Sequence, residues 1–259
     1  MLKRSSIYML GSLLVLAACK KDDSPNSTPD TNLAYVSFTN VNSSSKTLTV
    51  FVDQKQVNPT AIAVNSTLLG VYAGVEEGSR ALVIRDAVPA TPPVDYYTGT
   101  INVEKGKSYS FFQYGVLTGG ALKGILLNTD RTSDNTGAAK VRFLNISNGA
   151  PALDFVMVRR EGTTEKDSVV IGSAAASLAS IATPDIAALS AYKVVAANRA
   201  ANATPGVAVS SYNLKLKLAG TNTLVGTSIT GATILPGKNY TYYARGNYPA
   251  VALTAVADN

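Results

Sequence analysis

The sequence of 259 residues predicts an all-β fold, and three observations carry this prediction. Apolar and polar residues alternate over short runs, as in 153–157, which is the period of a strand with one buried face. Gly, Pro, Asn and Ser interrupt these runs at short intervals, as turns between strands require. The same pattern also occurs twice along the chain. We therefore predict two tandem immunoglobulin-like β-sandwich domains.

The repeat is visible in three pairs of matching segments, which are 36–41 with 141–146, 48–52 with 153–157, and 106–112 with 237–243. The offset is 105 positions between Val36 and Val141 and 131 between Gly106 and Gly237, so the second copy carries 26 more residues in its middle. A repeat of about a hundred residues indicates tandem domains, because solenoid repeats are much shorter.

A polar stretch separates the two copies and sets the predicted domain boundaries. Residues 131–137 (RTSDNTG) have the composition of a linker. We predict a first domain over 33–130, a linker over 131–137 and a second domain over 138–259.

The Ala-rich segment 173–203 has helix propensity, but we predict strands with at most a short helical turn. Pro184 interrupts the segment. The repeat also places 193–196 opposite 81–84, which has the composition of a strand.

A tyrosine follows a Gly-Lys turn in both copies, at Tyr109 and Tyr240. This motif resembles the tyrosine corner of immunoglobulin-like sandwiches, in which the hydroxyl group hydrogen-bonds to upstream backbone. We therefore predict that both tyrosines are structural.

The first residues have the pattern of a secretory signal. Lys3 and Arg4 precede an apolar run at 7–16, which is too short to span a bilayer as a helix. The run ends in Leu-Ala-Ala before Cys19, the single cysteine of the chain. This resembles the lipobox of bacterial lipoproteins, which implies a signal peptide over 1–18 and lipidation of Cys19. The alternative is a chance cysteine at the end of an ordinary signal or N-terminal anchor.

Two basic and two acidic residues follow the cysteine, namely Lys20, Lys21, Asp22 and Asp23. They resemble the surface-export signal of Bacteroidetes-type lipoproteins, and the alternative is a solvated charge run. Residues 19–32 are predicted to form the lipidated start and a flexible linker. The expected location is the bacterial outer membrane, with the protein facing the cell exterior; the periplasmic face stays open.

Composition argues against several functions. The chain has no His, which excludes His-based triads, and its lone Cys excludes zinc ribbons. Lys and Arg are scattered, whereas a nucleic-acid surface needs clustered positive charge. We expect no enzymatic activity, no cofactor, no metal site and no nucleic-acid partner.

The opening of the second copy, VRFLNISNGAPALDF at 141–155, resembles that of the domain-of-unknown-function family 4397, roughly V-R-F-x-N-A-S-P-D-A-P-x-V-D-V. The first copy keeps the hydrophobic frame but has a different turn at 42–47, so its match is weaker. The resemblance implies an extracellular β-sandwich, often on bacterial lipoproteins, and supplies no activity, ligand or site residue. Arg142 and Asp154 lie on opposite arms of this predicted hairpin, where they are expected to form an exposed ion pair.

Aromatic residues are the candidates for ligand contact. Tyr97, Tyr243 and Tyr248 belong to aromatic-rich segments whose outward rings would offer a surface for sugar rings, although packing is the favoured role. Asp167-Ser168-Val169 resembles an acceptor site for bacterial O-glycosylation, at Ser168.

These observations favour a non-enzymatic, lipid-anchored binding or structural module of the cell envelope. The membrane is its expected partner through the lipid, and a protein or glycan is its second partner. The alternative is a carbohydrate-binding accessory lipoprotein of a glycan-uptake system.

Overall fold

The computed structural model describes residues 33–44, 46–67, 72–117, 122–133, 137–198 and 210–258. The predicted signal peptide (1–18), Cys19, the charged residues Lys20, Lys21, Asp22 and Asp23, and most of the linker lie outside these ranges. Within them, no helix is long and apolar enough to cross a membrane.

Strands dominate the described chain, as the alternation predicts. The first copy contains β1 (Leu33–Asn42), β2 (Leu48–Val52), β3 (Lys55–Gln56), β4 (Ser66–Thr67), β5 (Ala73–Glu76), β6 (Gly78–Asp86), β7 (Asp95–Val103), β8 (Ser108–Gly115) and β9 (Lys123–Asn128). The second contains β10 (Ala138–Asn145), β11 (Leu153–Glu161), β12 (Thr164–Ala175), α1 (Ile186–Ser190), β13 (Lys193–Ala196), β14 (Ser210–Leu218), β15 (Ile229–Ala232), β16 (Asn239–Arg245) and β17 (Ala252–Ala257).

The first nine strands form two sheets that face each other. One sheet has the order β4-β1-β8-β9, with β5 also paired to β1, and the other has the order β3-β2-β6-β7. Strands β1 and β8 run parallel, and the remaining pairs are antiparallel. Alternate residues of both sheets, such as Phe38, Leu82 and Phe111, bury a core between them. We call this unit the first sandwich.

The later strands repeat this arrangement. Their sheets have the orders β13-β10-β16-β17 and β12-β11-β14-β15, and β10 and β16 are again parallel. The second sandwich encloses its own core, which includes Phe143, Phe155 and Leu214. Residues 32–259 form one compact unit, so the domain boundary at 131–137 stays a prediction.

The structure corrects one part of the predicted repeat. Strand β13 pairs with β10 as β5 pairs with β1, so 193–196 corresponds to β5 and not to 81–84. The counterpart of β6 is β14, which pairs with β11 as β6 pairs with β2. The predicted short helical turn is confirmed: α1 has five residues, and its cap residue Asp185 accepts a hydrogen bond from the Ala188 N–H at 3.0 Å.

Both tyrosine corners are present. The backbone N–H of Glu104 donates to the Tyr109 hydroxyl at 3.0 Å, and that of Leu235 donates to the Tyr240 hydroxyl at 3.1 Å. Each hydroxyl thus binds backbone five residues upstream, which confirms the structural role predicted for both residues.

A third apolar core joins the two sandwiches. It is built from outward-facing residues of the β1 and β10 sheets: Val41, Phe112, Tyr114, Ile125 and Leu127 from the first, Leu144, Ile146 and Tyr243 from the second, and Leu178 from the loop after β12. Phe112 and Tyr243, which occupy equivalent positions, make an edge contact with ring centroids 5.8 Å apart. The sandwiches therefore share a buried junction.

Strand register places the connections at two opposite ends of the sandwiches. The chain enters the first sandwich at Leu33, the start of β1, and we call this the entry end. We call the opposite end the distal end; it carries the connections that follow β1, β6, β8, β10, β12, β14 and β16. Two contacts show that the distal ends of both sandwiches lie on the same side of the junction. Lys123, at the distal start of β9, donates to the Ala179 carbonyl at 2.7 Å, and Asn239, at the entry start of β16, donates to the Asp130 carbonyl at 2.6 Å.

Candidate functional site

A buried polar cluster lies in the junction and is centred on Arg142, which is 1% exposed. Its Nε donates to Thr241 Oγ1 at 2.7 Å, and its Nη1 donates to the Asn128 carbonyl at 2.6 Å. Nη2 donates to Thr129 Oγ1 at 3.3 Å, and the guanidinium lies 4.7 Å from the ring centre of Tyr192. One side chain of the second sandwich thus binds the end of the first.

The negative partner of this cluster is Asp258, which is also 1% exposed. Its Oδ2 accepts hydrogen bonds from Thr241 Oγ1 at 2.7 Å and from the Tyr192 hydroxyl at 2.9 Å, while Tyr72 donates to its backbone carbonyl at 3.1 Å. Burial raises the pKa of Asp258, against the opposing influence of Arg142 and the two hydroxyl donors. Burial and the Asp258 charge together raise the pKa of Tyr192.

This cluster is suited to holding the sandwiches together rather than to chemistry on a substrate. Both charged groups are sealed from solvent, and the contacts of Arg142 are made with protein groups of both sandwiches. The predicted exposed pair of Arg142 with Asp154 is wrong, because β10 and β11 belong to different sheets. Asp154 instead accepts hydrogen bonds from the backbone N–H groups of Ala174 at 2.7 Å and Gly220 at 2.9 Å.

The polar residues of the family-like opening are also structural. The Asn145 side chain donates to the carbonyl oxygens of Pro151 at 3.2 Å and Ala175 at 2.9 Å, which ties the β10–β11 connection to the end of β12. In the first copy, the equivalent Asn40 donates to the carbonyls of Lys46 at 2.8 Å and Ile62 at 3.0 Å. The asparagine therefore closes the same connection in both sandwiches.

A second ionic cluster lies at the distal end of the first sandwich. Lys46 Nζ is 3.3 Å from Asp86 Oδ2, and the Tyr96 hydroxyl also hydrogen-bonds to that oxygen. Burial opposes the charge of Asp86, but hydrogen bonds from Tyr96, the Val88 N–H and Lys46 lower its pKa below the usual value. In the part of the chain that the structure describes, no group of three or more His, Cys, Asp or Glu could hold a metal ion.

Tyr97 lies in a shallow groove of about 320 Å³ beside β7 and β9. The groove is lined by Tyr97, Thr100, Ile101, Asn102, Phe111, Gly124, Ile125, Leu126, Pro184 and Ile186. The Tyr97 ring packs edge-on against Phe111 at 5.5 Å and lies so close to Gly124 that a Cβ there would overlap it. The side chain is half-buried, and burial raises the pKa of its hydroxyl group.

The other two predicted aromatic contacts have different outcomes. Tyr243 is 1% exposed in the third core, so its prediction as a sugar-stacking residue is wrong; its outward ring meets the other sandwich. Tyr248 is exposed in the connection between β16 and β17, at the distal end. Tyr97 therefore lies in a groove of the first sandwich and Tyr248 in a distal connection of the second, while Tyr243 is buried.

Ser168 is exposed on β12, an edge strand of the second sandwich. The neighbouring Asp167 is held by Arg159, with Nη2 and Oδ2 2.7 Å apart. Modification at Ser168 stays a prediction.

A known family model matches part of the chain. Residues 34–156 match the model of the domain of unknown function DUF4397. The match runs through the first copy and ends in β11, whereas the clearer resemblance by motif lies at 141–155 in the second copy. No curated protein matches the chain.

Three solved structures described as candidate cell adhesion proteins are similar to the chain. The protein from Bacteroides uniformis has 10% identity and a TM-score of 0.23, with coverage of 88% of this chain and 98% of its own. The protein from Bacteroides fragilis has 13% identity and a TM-score of 0.20, with coverage of 83% and 84%. The protein from Bacteroides ovatus has 12% identity and a TM-score of 0.22, with coverage of 88% and 96%.

Proposed function

We propose that this protein, whose residues 34–156 match the DUF4397 family model, is a non-enzymatic binding or structural module of the bacterial cell envelope. A lipid on Cys19 holds it to the outer membrane, and the folded part faces the cell exterior. Its partner there is a protein or a glycan, met by the loops of the sandwiches, because loops on a rigid scaffold are the usual binding elements of such folds.

The observation that carries this proposal is the arrangement of the two ends. The linker from Cys19 enters the fold at Leu33, and the connections after β1, β6, β8, β10, β14 and β16 lie at the opposite end. An anchor at Cys19 would therefore be joined to the fold at the end opposite these connections. The buried junction supports the same role, since it fixes the loops of the two sandwiches relative to each other.

Metabolic labelling with a palmitate analogue tests the anchor. We expect the wild-type chain to carry the label and to fractionate with the outer membrane, and Cys19→Ala to lose both properties, because the thiol that receives the acyl chain is absent. Protease treatment of intact cells should then release the folded fragment. A wild-type chain without label, or a Cys19→Ala chain that stays in the membrane fraction, would contradict the proposal.

A second candidate function is carbohydrate binding within a glycan-uptake system, and the Tyr97 groove favours it. An aromatic ring beside the exposed neutral side chains of Thr100 and Asn102 offers a stacking face and hydrogen-bonding groups for one sugar unit. Its volume of about 320 Å³ lies at the small end of ligand sites.

Affinity gels containing neutral polysaccharides test this candidate. Retardation of the wild type should be lost in Tyr97→Ala and kept in Tyr97→Phe, which preserves the ring. Tyr248→Ala serves as a matched aromatic deletion outside the groove. Equal retardation of wild type and Tyr97→Ala would remove the groove from consideration.

A further inference from the structure

A polar cleft lies at the entry end, where the first sandwich meets α1 of the second. Its volume is about 550 Å³, which is within the range of ligand sites. The cleft is lined by 106–108, 128–132 and Ser190, and apart from Gly106 every one of these residues has a polar or charged side chain. A ligand in this cleft therefore meets hydrogen-bonding groups rather than an apolar surface.

The segment 128–132 is held in place by the second sandwich. The Asn239 side chain donates to the carbonyl oxygens of Asp130 at 2.6 Å and Thr132 at 3.1 Å. Arg131 lies between these two residues, so its backbone has a fixed position beside the cleft. A side chain on such a support is positioned before any ligand arrives, which lowers the entropic cost of binding.

The Arg131 guanidinium is oriented by the protein but is not neutralised by it. It lies 4.3 Å from the ring centre of Tyr72, whose hydroxyl group donates to the Asp258 carbonyl at 3.1 Å. Within the described ranges, the Arg131 side chain is exposed and has neither a carboxylate partner nor a hydrogen-bond acceptor. Its N–H groups are therefore available to a ligand.

The other charged side chains of the cleft are paired. Lys140 Nζ donates to Asp130 Oδ2 at 2.6 Å, and Lys107 Nζ lies 2.5 Å from Glu104 Oε2. Arg131 is thus the one lining residue with an uncompensated charge, and the cleft carries a single excess positive charge.

We propose that this cleft binds an acidic sugar, with the carboxylate of a uronic acid unit held by Arg131. A guanidinium offers two parallel N–H groups that match the two oxygens of a carboxylate. One excess positive charge suits a carboxylate better than a phosphate group, whose charge is close to two. The side chains of Ser108, Asn128 and Ser190 offer partners for sugar hydroxyl groups, whereas the lining has no apolar surface for the side chains of an acidic peptide.

This site is independent of the contacts proposed above. It lies at the end opposite the loops to which we assign the partner, and it shares no lining residue with the Tyr97 groove. Failure of palmitate labelling, or of binding to neutral polysaccharides, would leave the cleft unaffected. The experiments on the proposed function and the experiment below therefore fail separately.

Isothermal titration calorimetry of the purified chain tests the cleft, with trimers of galacturonate, mannuronate and guluronate as probes. At least one trimer should bind. Its methyl ester has the same rings without the negative charge, so the ester should bind at least about tenfold more weakly. The affinity for the acid should also fall as the salt concentration rises from about 0.05 to about 0.5 M, because the guanidinium is exposed.

Substitution of Arg131 locates the contact. Arg131→Gln should lower the affinity at least about tenfold, and Arg131→Lys should lower it less, because lysine keeps the charge and loses the planar pair of donors. Arg85→Gln is the matched control, since Arg85 is a partly exposed arginine whose Nε is 2.6 Å from Asp95 Oδ1. This variant loses the same charge and should bind like the wild type. Thermal unfolding of each variant confirms that it is folded.

Four results would overturn the proposal. The first is a folded wild-type chain that binds none of the three trimers. The second is equal affinity for a trimer and for its methyl ester. The third is equal affinity of Arg131→Gln and Arg85→Gln for the trimer that binds. The fourth is tighter binding of inorganic phosphate or of a triglutamate peptide than of any trimer, which would assign the cleft to another class of ligand.

Discussion

On the sheets that meet at the junction, three hydrogen-bonded polar side chains occupy equivalent positions in the two copies, and we call each set a polar triplet. The triplet is neutral in the first copy and charged in the second. In the first copy, Ser37 Oγ donates to Ser110 Oγ at 3.2 Å, and Ser110 Oγ lies 2.7 Å from Thr129 Oγ1. The register of β1 with β8 and of β8 with β9 fixes these positions.

In the second copy, the equivalent positions hold Arg142, Thr241 and Asp258. Arg142 Nε donates to Thr241 Oγ1, and Thr241 Oγ1 donates to Asp258 Oδ2, both at 2.7 Å. The two triplets meet where Arg142 Nη2 donates to Thr129 Oγ1. The repeat thus supplies a common frame, and the junction is closed by one long cation that extends from one copy to the other.

The contrast between the copies shows how a duplicated surface becomes a specific interface. Two arginines at these equivalent positions would bring like charges together in a buried site, and two serines would leave the space between the sheets unfilled. One of each fills the space and satisfies the donors. The asymmetry between Ser37 and Arg142 is therefore a requirement of the pairing.

Of the substitutions considered, Arg142→Ala should lower the stability most. This substitution leaves Asp258 buried without its cation and opens a cavity, so the free energy of unfolding should fall by about 3–5 kcal/mol. Ser37→Ala, at the equivalent position, should cost about 0.5–1.5 kcal/mol, the value of one neutral hydrogen bond. Urea unfolding measures both losses of stability. Equal losses would show that the charged triplet contributes no more to stability than the neutral one.

The double substitution Arg142→Ser with Asp258→Thr tests whether the two charged groups act together, because it gives the second sandwich the neutral polar triplet of the first. Neither charge is then left without its partner. The loss of stability should be smaller than the sum of the two single losses by about 1–3 kcal/mol in a double-mutant cycle. Additive losses would mean that Arg142 and Asp258 act independently.

The pH dependence of stability should differ between two carboxyl groups. Burial raises the pKa of Asp258 above its usual 3.8, so the folded chain binds a proton that the unfolded chain releases. As the pH falls from about 7 toward about 4, the wild type should gain stability relative to Asp258→Asn.

Asp86 is the control with the opposite sign, because its pKa is lowered by Tyr96, Val88 and Lys46 against the influence of burial. The wild type should lose stability relative to Asp86→Asn as the pH falls through the usual value of 3.8. Urea midpoints at several pH values measure both differences. Parallel curves for wild type and Asp258→Asn would contradict the role of burial.

Both copies have a tyrosine corner, and its loss should change stability only slightly. Tyr109→Phe and Tyr240→Phe each remove the acceptor of one backbone N–H, so each should lower the free energy of unfolding by about 1 kcal/mol. Urea unfolding compares the pair directly. Unchanged stability in both variants would remove the corner as a stabilising element.

The sequence predicts the strands and the corners, because both depend on local patterns. The alternation of Leu153, Phe155 and Met157 requires a buried face, and a Tyr after a Gly-Lys turn has its partner five residues away. The predicted pair of Arg142 with Asp154 failed because alternation gives the face of a strand but not the sheet that it joins. Strands β10 and β11 separate into different sheets, so their outward faces have different neighbours.

The junction is hidden from the sequence for a related reason. In Phe111-Phe112 and Tyr242-Tyr243, one ring faces inward and one outward, as predicted, but the outward ring is buried by the other sandwich. No local pattern marks Arg142 as a buried residue, since buried arginines are rare. Alignment of the last strand of each copy would have placed Thr129 opposite Asp258 and indicated a shared polar site.

The parallel pairing of β1 with β8 has a kinetic consequence. Tyr35 pairs with Ser108, and Lys140 pairs with Asn239, so the central strand pair of each sandwich joins segments that are far apart in the chain. Contacts between distant segments form slowly, because the loss of loop entropy precedes any gain from pairing. The β1–β8 and β10–β16 pairs therefore form only after most of each copy has been synthesised, later than local hairpins such as β6–β7.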